Sequence, residues 1–241
     1  MKNKLKVEVW SDIVCPFCYI GKRNYESALA AFEHKDKVEL EFKSYQLDAN
    51  FVQDTTQKHD YRQGLAHKYG RSLEEINTMI EQMTSSAKAV GLDFDLDNAV
   101  QFNTFDAHRI LHLAKEKGLG NQLKEALLVA YFIESKDLGN KEVLKAEALK
   151  TGLNATDFDK ALTDDSYAYT VKQDIQEAGN LQISGVPFYV FDRKYGVSGA
   201  QPPAVFLDTL RKTYAEWTGK SSITLENTNE GMSCDTDGNC D

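Results

Sequence analysis

"SDIVCPFCYIGK", residues 11–22, decides the fold. Before it, "KLKVEVW" (residues 4–10) places Val7 and Val9 in alternation with charged residues, the period-two pattern of a strand. After Cys15, Pro16 suits the first turn of a helix, where its missing N–H removes no hydrogen bond. Tyr19, Tyr25, Leu29 and Phe32 supply the apolar face of that helix. "KVELEFKSYQL" (37–47) then sets Val38, Leu40 and Phe42 against Glu39, Glu41 and Lys43, which reads as a second strand. The chain opens β-α-β, with Cys15 and Cys18 at the first strand-to-helix junction.

From about residue 53 to 178 the pattern is helical. Leu73, Ile76, Ile80, Met83, Ala87 and Val90 recur at three- and four-residue steps, ending at Gly91. Helices follow in "FNTFDAHRILHLAKEKG", "NQLKEALLVAYFIESK", "NKEVLKAEALKTG", "NATDFDKAL" and "DDSYAYTVKQDIQEAGNL". Strand character returns in "VPFYVFDRKYGVSGA" (186–200), where two short apolar runs flank a polar Asp192-Arg193-Lys194 turn. A last helix begins at Pro202-Pro203 and runs to about Gly219, after which the chain is polar and aperiodic and reads as a flexible tail. Neither flanking piece is long enough to build a core alone, so the two are expected to share one sheet with the helices inserted between them. This divides the chain into 1–52 and 179–218 (one sheet-bearing unit), 53–178 (helical insertion) and 219–241 (tail).

With 241 residues, 41% apolar and 27% charged, the chain has ample material for a hydrophobic core. A net charge of −9 argues against nucleic acid and against an anionic membrane surface as partners. No stretch approaches the roughly 18 apolar residues of a membrane span, and the N-terminus lacks the apolar region of about 7–15 residues found in a secretory signal. The expected address is the cytoplasm, where the Asn154 sequon has no consequence. Four cysteines are too few for a disulfide scaffold, and in a reducing compartment a C-x-x-C is more often catalytic or metal-binding.

A thiol at a helix start ionises more easily, because the free N–H groups and the helix dipole favour an anion. Cys18 lies one turn on and can resolve a mixed disulfide formed at Cys15. The expectation is an exposed, attacking Cys15 and a more buried, resolving Cys18. Zinc ligation and a pair of inert buried thiols compete with this reading; zinc needs two further ligands of similar spacing. In "SGVPFYVF", Pro187 opens a strand after a Gly-Val turn, a place where a cis bond occurs. Carrying no N–H, it leaves the Val186 backbone groups free to pair with an extended peptide; a plain turn proline is the alternative. His108 and His112 form an i, i+4 pair without an evident third ligand, and "DTDGNCD" has Cys240 where a calcium loop needs Gly, so no metal is expected.

Taken together, "SDIVCPFCYIGK", "FNTFDAHR" and "GVPFYVFDRKYGVSGAQPP", in this order, resemble the DsbA-like thioredoxin superfamily, in particular its FrnE-like cytoplasmic branch. The resemblance covers roughly residues 5 to 217. It implies an α/β, thioredoxin-like fold with a large α-helical insertion domain and a thiol–disulfide oxidoreductase without a cofactor. It implies Cys15 as nucleophile, Cys18 as resolving thiol and Pro187 as the cis-proline facing them, with Asn103 and His108 as cleft-lining residues from the inserted helices; for these two a capped helix with an exposed or core histidine is the alternative. The implied partner is a protein bearing a disulfide or thiol, or a glutathione-like small thiol. Kappa-class glutathione transferases and 2-hydroxychromene-2-carboxylate isomerases look similar in fold, but generally lack a full C-x-x-C and tend to carry Asp-Arg where this chain has Ala200-Gln201. A peptide-binding, chaperone-like module with incidental cysteines is a third reading. Phe17 offers no side-chain hydrogen bond to the Cys15 sulfur, which predicts a potential in the middle of the range of roughly −270 to −120 mV. Cys234 and Cys240, six steps apart in the tail, are expected to form an auxiliary dithiol exchanging electrons with Cys15–Cys18.

Overall fold

The computed structural model describes residues 4–52 and 60–219. Four strands, β1 (Leu5–Ser11), β2 (Val38–Ser44), β3 (Phe188–Phe191) and β4 (Tyr195–Ser198), form one sheet in the order β2-β1-β3-β4. β1 pairs in parallel with β2 and antiparallel with β3, so the sheet is assembled from both ends of the chain. The crossover between β1 and β2 is α1 (Pro16–Ala31). The β3–β4 hairpin turns through Asp192 and Arg193, both at positive φ (47° and 56°), the backbone of a tight hairpin whose twist matches its strands.

Between the two sheet halves lie α2 (Tyr61–Tyr69), α3 (Leu73–Lys88), α4 (Phe105–Glu116), α5 (Gly120–Phe132), α6 (Lys141–Lys150), α7 (Ala155–Thr163) and α8 (Asp165–Asn180); α9 (Pro203–Gly219) closes the described chain. No described helix is long and apolar enough to cross a membrane. α2 is absent from the sequence expectations. It buries only Tyr61 and Leu65, too few for a visible stripe, and is held instead by its ends: Asp60 accepts from the Arg62 and Gln63 N–H groups, and Gly70 closes it in the left-handed region. α8 covers the sheet. Its Asp174 carbonyl accepts the Trp10 indole N–H at 2.9 Å, and Ala178 joins Trp10, Ile183 and Val190 in a small core.

Two larger cores meet at α1. Leu5, Val7 and Val9 of the sheet pack with Tyr25, Ala28 and Phe206 under α1 and α9. Ile13, Tyr19 and Ile20 belong instead to the helical core, with residues such as Phe94, Tyr131 and Phe132. The first turns of α1, which carry both cysteines, therefore sit where the cores join. The charged face of β2 is covered past Glu39: the Glu41 and Lys43 side chains are 10% and 14% exposed, and pair with Lys6 and Lys115, and with Asp174, respectively.

Candidate active site around Cys15 and Cys18

Cys15 is the N-cap of α1, and Pro16 supplies its first residue. Both cysteines are free thiols and equally buried, at 4% and 3% exposed, so the expected contrast in exposure is absent. Position separates them instead. Cys15 lines an apolar cleft of about 250 Å³, walled by Phe17, Phe51, Tyr61, Met83 and Phe102, whereas Cys18 does not line it. Across from Cys15 the Val186–Pro187 bond is cis, and the Cys15 thiol is placed to donate to the Val186 carbonyl at 3.4 Å. Gly21 on α1 allows this approach: a Cβ there would stand 3.0 Å from the Pro187 ring.

Burial and their mutual hydrogen bond act on both thiols. The Cys15 thiol is pushed well up by its hydrogen bond to Cys18, by burial and by the charge on Cys18. Burial also opposes ionisation of Cys18. That effect is outweighed by the hydrogen bond from Cys15, the charge of Lys124, the Ser11 hydroxyl and the Asp12 N–H, and the Cys18 thiol is lowered.

Beneath the pair lies a buried polar layer. Asp12, fully buried, accepts from the N–H groups of Ile13 and Leu47, both at 2.8 Å, and from His108 Nε2 at 3.2 Å. Burial raises its carboxyl, but His108, the Leu47 N–H and Lys124 bring it below the usual carboxylate range. Burial lowers His108 in turn, so a neutral imidazole donates to an ionised Asp12. His108 is therefore a core residue under the cysteines and does not line the Cys15 cleft. Asn103 does not line it either. It is exposed and staples a loop, accepting from Gln46 at 3.0 Å and donating to the Ala49 and Phe51 carbonyls. His112 does have an acidic partner, Asp174 at 3.1 Å, contrary to expectation. Each histidine of the i, i+4 pair is engaged by its own aspartate, and among the described residues no three His, Cys, Asp or Glu side chains converge on a metal site. Cys234 and Cys240 lie outside the described residues.

Asp12, Gly21, Tyr61 and Lys124 escaped the sequence reading. Lys124 left a signal: it stands at the start of the spacing Lys124, Leu128, Tyr131, occupying an apolar position of its helix.

A dithiol at a helix start, facing a cis-proline turn on a sheet with a parallel β1–β2 pair, defines a thioredoxin-fold protein of the dithiol class. The chain matches the DSBA-like thioredoxin domain over residues 6–211 and belongs to that family. It is similar to the probable DsbA oxidoreductase SCO1869 of Streptomyces coelicolor, with 38% identity over 98% of both chains and a TM-score of 0.82. The cytosolic disulfide reductase DsbM of Pseudomonas aeruginosa, solved with GSH, shares the fold at 16% identity and a TM-score of 0.62, covering 88% of this chain and 100% of that one. Among curated sequences, the uncharacterized protein YwbO of Bacillus subtilis is 26% identical, over 76% of this chain and 85% of its own length.

Proposed function

We propose that this protein exchanges disulfides with extended polypeptides, beginning at Cys15 and completing the exchange at Cys18. The observation that carries this reading is that Cys15, and not Cys18, opens on the apolar cleft, beside Val186 of the cis-proline turn. The cleft wall is mostly aromatic and aliphatic, and two of its charged residues, Asp48 and Lys68, lie 3.5 Å apart and compensate one another. Such a wall suits apolar side chains flanking a substrate cysteine better than the two carboxylates of glutathione. Glutathione, the ligand named with the Pseudomonas protein, serves in this reading as the small thiol that resets the pair.

In the reducing direction the Cys15 thiol gives up its proton, which goes to the departing substrate sulfur, and the resulting Cys15 thiolate attacks the other sulfur of the substrate disulfide. The substrate S–S bond breaks and one substrate thiol leaves. Cys18 then attacks the Cys15 sulfur, releasing the second substrate thiol. Two electrons pass from the pair to the substrate, and the two thiol protons follow to its sulfurs. A cytoplasmic site of action goes with this reading, and the Cys234/Cys240 pair is assigned the auxiliary dithiol role. The test is turnover of a disulfide-bearing unfolded protein with glutathione as reductant. Cys15→Ser is expected to lose turnover to the uncatalysed level. Undiminished turnover in that variant overturns the reading.

A further inference from the structure

A second cavity, of about 300 Å³, opens beside β2, the edge strand of the sheet, and shares no wall residue with the Cys15 cleft. β2 from Val38 to Ser44 forms one wall, and α4 with the start of α5 forms the other. Ligand sites span roughly 300–1,000 Å³, so this cavity suits a small molecule. The start of α5 brings donors to it. Leu119 is the N-cap but supplies no side-chain bond, and the first turn carries no acidic residue. The first helical bond runs from the Leu123 N–H to the Leu119 carbonyl, at 2.9 Å. The N–H groups of Gly120, Asn121 and Gln122 are left without a partner among the described residues.

A helix start by itself is met by water. A second group sets this one apart. Lys124 lines the same cavity, on the face of α5 that carries Gly120 and Asn121 one turn earlier. It is 1% exposed, and its Nζ makes no hydrogen bond. That Nζ stands 5.5 Å from the ring of Phe42, another wall of the cavity. A buried ammonium without a hydrogen-bond partner is costly and calls for an anion beside it. The protein's own carboxylates are engaged elsewhere. Asp12, which feels the Lys124 charge, is already bonded to Ile13, Leu47 and His108. Glu41 pairs with Lys6 and Lys115, and Glu39 is exposed.

We propose that this cavity binds a small phosphate-bearing molecule, its phosphate held by the first-turn N–H groups of α5 and the Lys124 ammonium, and its apolar body resting against Phe42 and Leu111. Successive N–H donors at the positive end of a helix dipole suit a phosphate, whose three oxygens outnumber the two of a carboxylate. The flexible four-carbon stem of Lys124 lets its ammonium turn to the phosphate as it enters. The site is separate from the Cys15 cleft, so the proposal stands independently of the exchange reading.

The test is a titration of the full-length protein with phenyl phosphate, followed by amide NMR. Wild type is expected to show saturable shifts at Gly120, Asn121 and Gln122; their absence overturns the site. Two variants probe the donors. Asn121→Asp places a like charge where the phosphate would sit, and an acidic residue in the first turn suits the helix, so the fold is kept. Lys124→Met removes the ammonium. Each is expected to weaken binding by about tenfold or more, the loss of a charge-assisted contact. A dissociation constant within about twofold of wild type in Asn121→Asp overturns the site, and the same result in Lys124→Met overturns the part given to Lys124. Two further probes fix the chemistry. Benzoate binding more tightly than phenyl phosphate overturns the choice of phosphate, and phenol binding as tightly overturns the need for an anion.

Discussion

Gly21 shows how far one missing side chain reaches. A Cβ at this position would stand 3.0 Å from Pro187 Cγ, 3.2 Å from the Tyr189 hydroxyl and 3.4 Å from the Ala200 backbone. Gly21→Ala brings about 1 kcal/mol of helix propensity. It is opposed by about 1–3 kcal/mol of overpacking against neighbours that belong to a strand and a turn. The expected net result is a loss of stability of up to about 2 kcal/mol in denaturant unfolding. Exchange at Cys15 should slow as well, because the element displaced is the Val186–Pro187 turn facing the sulfur. Unchanged stability and unchanged exchange in the variant contradict this reading of the contact.

At the scale of elements, α4 is tied to the end of β1 by the buried His108–Asp12 bond, which gives the link a pH signature. Burial holds His108 below its ordinary value, so in acid the unfolded chain takes up a proton that the folded chain refuses. Stability from this residue is complete above the unfolded histidine value of about 6.5 and declines as pH falls from there towards the folded value. Asp12 acts in the same direction at lower pH. Its lowered carboxyl contributes stability present above about 3.9 and lost as pH falls through its folded value. The denaturation midpoint of wild type should therefore fall more steeply from pH 7 to pH 5 than that of His108→Gln, and equal slopes would overturn the assignment. The elements themselves differ in how legible they are in the sequence. The β-α-β opening, the Asp192-Arg193 hairpin and the helical middle follow from period-two and period-3.6 patterns. α2 does not, since two buried residues make no stripe, although Asp60 and Gly70 are readable as its caps. The cysteines and Pro187 announce their chemistry by residue type. Asp12 does not, because its bond to His108 forms where α4 meets the end of β1, and that distance is set by packing rather than by spacing along the chain.

Across the whole molecule, the site is a product of the junction between two cores. The sheet core anchors α1 through Tyr25 and Ala28, and the helical core anchors it through Tyr19 and Ile20. The sulfurs sit at that seam, with the cleft and the cis-proline turn on one side and the Asp12, His108 and Lys124 layer beneath. The two thiols are equally buried, and Cys15 is the one that lines the cleft, which is why the proposed exchange begins there. The most direct measurement is to trap the exchange halfway. Cys18→Ala protein is mixed with an unfolded protein carrying a disulfide, quenched with acid and mapped by mass spectrometry. The account predicts a mixed disulfide between the substrate and Cys15. Absence of such an adduct at Cys15, while wild type turns the same substrate over, would contradict it.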